Sequence, residues 1–241
     1  MIIQSIAQIT SISRPKYLII LDIVIDNFLY YVKTKREILE VFIIRSVLLS
    51  TYIIASRIFR LYFNVESKLH KEVLNLKPDR YLIVANHRSA VDPYLILATL
   101  PFNSFKSLLP IRFFTANIYL KRWWQRFFLM SFGSFRAYSV ESKVSGVKGG
   151  LYLSDMGQSL LIFPEGKRNR YNSKVEPKIG AAYLAQRRDF MILPVSIDYV
   201  NKKTKVTWGK PFRINDRLRT KDLNQLTRII FNRVLKLSDQ R

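Results

Sequence analysis

Five apolar residues, Tyr81-Leu82-Ile83-Val84-Ala85, run directly into Asn86-His87-Arg88-Ser89-Ala90-Val91-Asp92-Pro93, and no other stretch so narrows what this chain can become. A short continuous apolar run after Lys77-Pro78-Asp79-Arg80 fits a strand buried on both faces. Asp92-Pro93 ahead of Tyr94-Leu95-Ile96-Leu97-Ala98 reads as a helix start. Asp92 suits the N-cap, where its side chain accepts orphan backbone N–H groups, and Pro93 suits the first helical position, where no N–H is required. His87 then falls in a strand-to-helix turn, five residues before a carboxylate. An imidazole held there can donate its Nδ1–H to Asp92 and leave Nε2 to take a proton from a hydroxyl, which makes a general base with an orienter. H-x-x-x-x-D is a short pattern, and by itself it fits a plain helix cap beside a surface histidine equally well.

The chain has no cysteine and two histidines, His70 and His87. Disulfides, thiolate metal sites and a thiol nucleophile are excluded, and without an H-E-x-x-H pattern a histidine-rich metal site has no support. His70, in Ser67-Lys68-Leu69-His70-Lys71-Glu72, reads as part of a solvated segment. Forty Lys and Arg against 17 Asp and Glu give a formal charge of +23, a field that recruits anionic partners. Nucleic acid, anionic lipid headgroups and acidic carrier proteins all have that sign. At 241 residues there is room for one α/β domain and an appendage.

The first 16 residues lack the basic start and small-residue cleavage site of a secretory signal, which fits a catalytic domain on the cytoplasmic side. Residues 17–32 are almost wholly apolar except Asp22 and Asp26, four apart and so on one helical face. A second apolar segment, 38–65, carries Arg57 and Arg60 among aromatics, and Lys33-Thr34-Lys35-Arg36-Glu37 joins the two. Neither is a clean spanning helix of about 20 apolar residues. Two hydrophobic helices with basic ends instead fit an element that lies in one leaflet, with Arg and Lys at the headgroups; ordinary packing helices are the plainer reading.

Residues 105–132 interleave Arg112, Lys121, Arg122 and Arg126 with Phe113, Phe114, Tyr119, Trp123, Trp124, Phe127 and Phe128. Such a pattern stacks nucleic-acid bases, or walls an acyl chain at a membrane surface, and does not choose between them. A helical segment is expected near 140–156. Leu160-Leu161-Ile162-Phe163 is a second buried-strand run that ends in Pro164-Glu165-Gly166-Lys167-Arg168-Asn169-Arg170, a loop of cations around one carboxylate. A helix at 178–185, a strand at 192–197, an edge strand at 205–208 and a closing helix at 218–237 follow. Strands alternating with helices predict an α/β domain, with a mostly parallel central sheet flanked by helices, over residues 65–241. The N-terminal hydrophobic two-helix, membrane-associating element takes residues 1–64.

Asn86-His87 through Asp92, Phe163-Pro164-Glu165-Gly166 with Arg168, and Lys178-x-Gly180 followed by Leu193-Pro194-Val195 occur in this order. Together, over about residues 65–215, they resemble the glycerolipid acyltransferases, the family of bacterial 1-acyl-sn-glycerol-3-phosphate acyltransferase. The resemblance implies His87 as the base on the acceptor hydroxyl and Asp92 as its orienter. It implies Asn86, Glu165, Gly166 and Lys178 around the substrate and Arg168 on the acceptor phosphate, with Pro194 fixing the turn of a nearby strand. A guanidinium suits phosphate through bidentate geometry. Two departures stand out. The family's Gly-x-Phe-x-x-x-Arg block has its cation early here, at Arg136, with Ser139 in the usual Arg position and Lys143 as the substitute cation. The family's Phe-Pro-Glu-Gly-Thr-Arg reads Phe-Pro-Glu-Gly-Lys-Arg, so Lys167 adds a charge beside the site.

The resemblance implies transfer of a fatty acyl group from acyl-CoA or an acidic acyl carrier protein to the free hydroxyl of 1-acylglycerol 3-phosphate at an anionic membrane surface, with no further cofactor. Backbone N–H groups of the first turn are expected to stabilise the oxyanion. Another lysolipid, an amino-acid lipid included, is the alternative acceptor. From a different class, a basic nucleic-acid-binding protein is the rival reading; a lipid hydrolase lacks its Gly-x-Ser-x-Gly elbow.

Overall fold

All five residues of the strand Tyr81–Ala85 are buried, as a run with no polar face requires. In the computed structural model, which describes residues 16–136, 146–169, 175–219 and 222–238, this strand sits at the centre of the sheet. The strands are β1 (Val65–Leu69), β2 (Tyr81–Ala85), β3 (Ile111–Thr115), β4 (Ser134–Arg136), β5 (Ser159–Ile162), β6 (Met191–Val200) and β7 (Lys203–Trp208). Among the described residues they form one seven-stranded sheet in the order β1-β7-β6-β2-β5-β3-β4. Every neighbouring pair is parallel except the β6–β7 hairpin, which turns at Asn201 and Lys202 with φ of 49° and 61°. The fold is α/β with a mostly parallel sheet flanked by helices.

The helices are α1 (Lys16–Tyr62), α2 (Asp92–Ala98), α3 (Phe102–Ser107), α4 (Trp123–Ser131), α5 (Gly146–Asp155), α6 (Gly180–Arg187), α7 (Asp216–Arg219) and α8 (Leu223–Ser238). Period-two alternation splits β2 between two cores. Ile83 and Ala85 join Ile44, Leu48, Leu95, Phe105 and Trp208 on one face, while Leu82 and Val84 join Leu160, Leu184, Ile230 and Val234 on the other.

The chain divides into two compact units, Met1–Phe42 and Ile43–Arg241. Over its described residues the first is helix. In the second, the end of α1 packs on the sheet: Tyr52 donates its hydroxyl to Leu100 O at 2.6 Å and Arg60 donates Nε–H to Ala98 O at 2.8 Å. Those bonds satisfy carbonyls that the end of α2 leaves open. Among the described residues no single helix is long and apolar enough to cross a membrane. Thr34–Ile53 and Ser56–Tyr62, meeting at 49°, have together the length and composition of a broken span or re-entrant element.

Several local expectations need correction. Lys33–Glu37 is not a linker but helix, because Lys, Arg and Glu are good helix formers; the bend lies between Ile53 and Ser56. Ser67–Leu69, read only as part of a solvated segment, belong to the edge strand β1, whose exposed Glu66 and Lys68 blunt the edge against further pairing. Lys203–Trp208 is therefore internal, between β1 and β6. Ile111–Thr115 and Ser134–Arg136, unread in the aromatic stretch, are strands. Pro194 lies inside β6, opposite Val84, rather than at a turn. Lys178 precedes its helix, which begins at Gly180.

Candidate active site

Parallel order brings the carboxyl ends of β2, β5 and β6 to one edge of the sheet, the place where open α/β sheets hold their ligands. β2 ends at Ala85 and hands the chain to the turn before α2. Asn86 fixes that exit: its Nδ2 donates to Ile197 O and its Oδ1 accepts from Ile197 N, both at 2.8 Å. With both polar ends spent on β6 and 1 % exposure, Asn86 locks the strand end beside His87.

His87 Nδ1 lies 2.9 Å from Asp92 Oδ2. Asp92 is fully buried, while the His87 side chain keeps 18 % of its surface open. Its ring stacks on Phe163, with centroids 4.1 Å apart and planes 18° from parallel. Arg88 N and Ser89 N donate to the same Oδ2 at 2.6 and 2.7 Å, and the Tyr199 hydroxyl donates to Oδ1 at 2.7 Å. Four donors thus converge on one carboxylate, an acceptor-only group when ionised. The His87 tautomer that fits carries its proton on Nδ1, which leaves Nε2 as the basic nitrogen. Burial, and then the Asp92 charge, push the Tyr199 hydroxyl well above the usual tyrosine range, so it stays a protonated donor.

This network revises two expectations. Asp92 is the first residue of α2 rather than its N-cap, which is Val91; its side chain turns back into the preceding loop because three donors wait there. The first-turn N–H groups of Arg88 and Ser89 are engaged by Asp92, and that of His87 by Glu165. They are occupied in the position where an oxyanion was expected.

Glu165 is 4 % exposed. It accepts from His87 N at 2.5 Å and from Asn169 Nδ2 at 2.8 Å, while Asn169 N donates to His87 O at 2.7 Å. The carboxylate expected at the centre of a cation loop instead ties that loop to the His87 turn. Gly166 has φ of +66°, and an added Cβ there would meet Lys178 Cε at 2.6 Å. Lys178 N in turn donates to Pro164 O at 2.7 Å, so the returning segment lies across the glycine. Lys167 and Arg168 are exposed, and Arg168 donates to the Tyr119 hydroxyl at 2.8 Å. Arg136 ends β4 beside Thr115, and its side chain lies outside the described residues, as do Ser139 and Lys143.

The structure therefore gathers His87, Asp92, Glu165 and Gly166 at one strand edge and carries Arg168 and Lys178 on the adjoining loop. Tyr199 and Asn169 were missed. Tyr199 lies 107 positions from Asp92, and only the β2–β6 pairing brings them together. Among the described residues no cluster of His, Cys, Asp and Glu could hold a metal ion.

Comparison with known proteins identifies the family and the fold. No curated protein matches the chain in sequence. The crystal structure of the 1-acyl-sn-glycerophosphate (LPA) acyltransferase PlsC from Thermotoga maritima shares its fold, with a TM-score of 0.58 at 16 % identity over 82 % of each chain. Residues 67–198 match the profile of the family described as Acyltransferase. That span is more than half of the chain and contains His87, Asp92, Glu165 and Arg168, and the chain belongs to the acyltransferase family.

Proposed function

We propose that the protein transfers a fatty acyl group from acyl-CoA or an acyl carrier protein to the free hydroxyl of 1-acylglycerol 3-phosphate, yielding phosphatidic acid for phospholipid synthesis. The observation that carries this reading is the His87 ring held on buried Asp92 at the sheet's carboxyl edge, with Lys167 and Arg168 exposed on the adjoining loop. The activity of the Thermotoga protein supports the choice of acceptor.

In the reaction, His87 Nε2 takes the acceptor's hydroxyl proton while that oxygen attacks the thioester carbonyl. The carbon–sulfur bond then breaks, and the proton passes from the imidazolium to the leaving thiolate. Asp92 holds the ring and balances its transient positive charge. Arg168 binds the acceptor phosphate, which its five donors suit. Gly166 and Lys178 shape the acceptor loop, and Arg136 is a second candidate for the phosphate. The donor needs no cofactor, and the positive charge attracts both the CoA phosphates and an acidic carrier. An apolar cleft lined by Leu48, Tyr52, Phe59, Tyr94, Phe105 and Phe132 offers the surroundings an acyl chain needs. Residues 1–64 serve membrane association at the cytoplasmic face, and 65–241 carry catalysis.

An acceptor panel tests this directly. With labelled acyl-CoA and acyl carrier protein as donors, label should enter phosphatidic acid, and Arg168→Ala should raise KM for the phosphate-bearing acceptor about tenfold with a smaller change in kcat. Equal use of acceptors lacking phosphate would overturn the assignment of acceptor. Tyr199→Phe should lower kcat by roughly ten- to a hundredfold while KM holds, since one donor to a charged group is worth on the order of 1.5–3 kcal/mol. A dominant rise in KM with kcat retained would place Tyr199 in binding instead.

A further inference from the structure

We propose that α4 is a second membrane contact, which seats the catalytic unit on an anionic bilayer through its own aromatic face. This deepens the reading above, and it rests on that reading only for the acceptor being a membrane lipid. None of the nine residues of α4 is buried. Trp123 is 79 % exposed and Phe127 74 %, with Trp124 and Phe128 beyond half. Positions 123 and 127, like 124 and 128, lie one helical turn apart, so the four rings form two adjacent stripes. Soluble monomers rarely leave so continuous an apolar face open.

The chemistry of the face commits it to one occupant. Trp and Phe are the side chains that settle at the boundary between headgroups and acyl chains. Lys121, Arg122 and Arg126 are exposed among them, each drawn to an anionic surface. A short amphipathic helix with cations beside its rings suits a bilayer surface better than a rigid protein groove.

Position adds to this. Phe132, just past α4, meets Tyr94 edge-on at 5.6 Å, two residues after Asp92. Ahead of α4, Tyr119 accepts the Arg168 hydrogen bond. The segments on either side of the face thus contact α2, which begins at Asp92, and Arg168 on the loop beside the His87 turn. Docked through it, the site mouth would meet the headgroup layer in which a lysophospholipid presents its hydroxyl and phosphate.

The protein's tryptophans make the test specific. There are three; Trp208 is 2 % exposed and donates its indole N–H to Thr99 Oγ1, so a change in emission reports on Trp123 and Trp124. Full-length protein is mixed with phosphatidylglycerol–phosphatidylcholine vesicles whose acyl chains carry bromine. The expected result is a blue shift with quenching by the bromines, and a vesicle partition coefficient lowered roughly a hundredfold in the Trp123→Ser/Phe127→Ser variant, on the order of tenfold per ring. Turnover of that variant on a short-chain, monomeric acceptor should match wild type.

Vesicle-bound protein with unshifted, unquenched emission would overturn the inference, because α1 alone would then hold the membrane. So would an unchanged partition coefficient in the variant, or no partition of the wild type. A blue shift on adding acidic acyl carrier protein, absent with vesicles, would assign the face to a protein partner and overturn it likewise. Failure of the acceptor panel with α4 still quenched would remove the enzymatic reading and leave this one standing.

Discussion

His87→Ala is expected to lower the rate of acyl transfer by roughly a thousandfold, within the range of about 10²–10⁴ that positioned proton transfer contributes. Initial rates with labelled acyl-CoA measure it, and a thermal unfolding curve checks the fold. The two readouts should separate. The backbone at residue 87 is held independently of the ring, through Glu165 and Asn169, so only the Asp92 contact and the stack on Phe163 are lost with the imidazole. Activity within tenfold of wild type would show that the proton is taken elsewhere.

Asp92→Asn is expected to reduce kcat by about a hundredfold and also to lower the unfolding temperature. The amide presents one oxygen where Asp92 presents two, and its NH₂ group must face one of the four donors now aimed at the carboxylate. Turning the NH₂ toward Tyr199 conserves most bonds, because a hydroxyl can reverse and accept. The His87 ring then keeps its orientation but loses the negative charge that balances an imidazolium. Asp92→Ala goes further and leaves buried N–H groups unmatched, at a cost of about 1–3 kcal/mol for each group left without a partner. KM for the acceptor should change little in Asp92→Asn, since Asp92 is fully buried; a dominant rise in KM, with kcat retained, would contradict an orienting role.

Much of the sheet was legible because its central strands are pure apolar runs. Tyr81–Ala85 and Leu160–Ile162 cannot satisfy their side chains except between layers, and the helix that follows β2 is announced by Asp92-Pro93. The edges were hidden for the opposite reason. β1 is half-buried only at its ends, Val65 and Leu69, around the exposed Glu66, Ser67 and Lys68. β3 places Arg112 in the middle of its run; that side chain is 5 % exposed, and a buried cation breaks the apolar signature by which strands are read.

At the site, the His87–Asp92 pair could be read from local spacing, since turn and helix start lie within six residues. Tyr199 could not. Its place on Asp92 Oδ1 depends on β6 pairing with β2 and running on to Val200, a consequence of topology. Glu165 was visible as a residue, but its orientation was not: sequence adjacency to Lys167 and Arg168 suggested a carboxylate ringed by cations, whereas burial turned it inward to His87 N and Asn169. A charge's neighbours in sequence set its field only when it stays in solvent.

In the proposed reaction His87 activates the acceptor's own hydroxyl, so that the acyl group moves once, with no protein-bound intermediate. Intact-mass spectrometry of enzyme incubated with acyl-CoA alone, followed by addition of 1-acylglycerol 3-phosphate, tests this. The predicted result is unmodified protein before the acceptor is added and phosphatidic acid with free CoA afterwards. An acylated protein that forms without acceptor and then passes its acyl group on would contradict it.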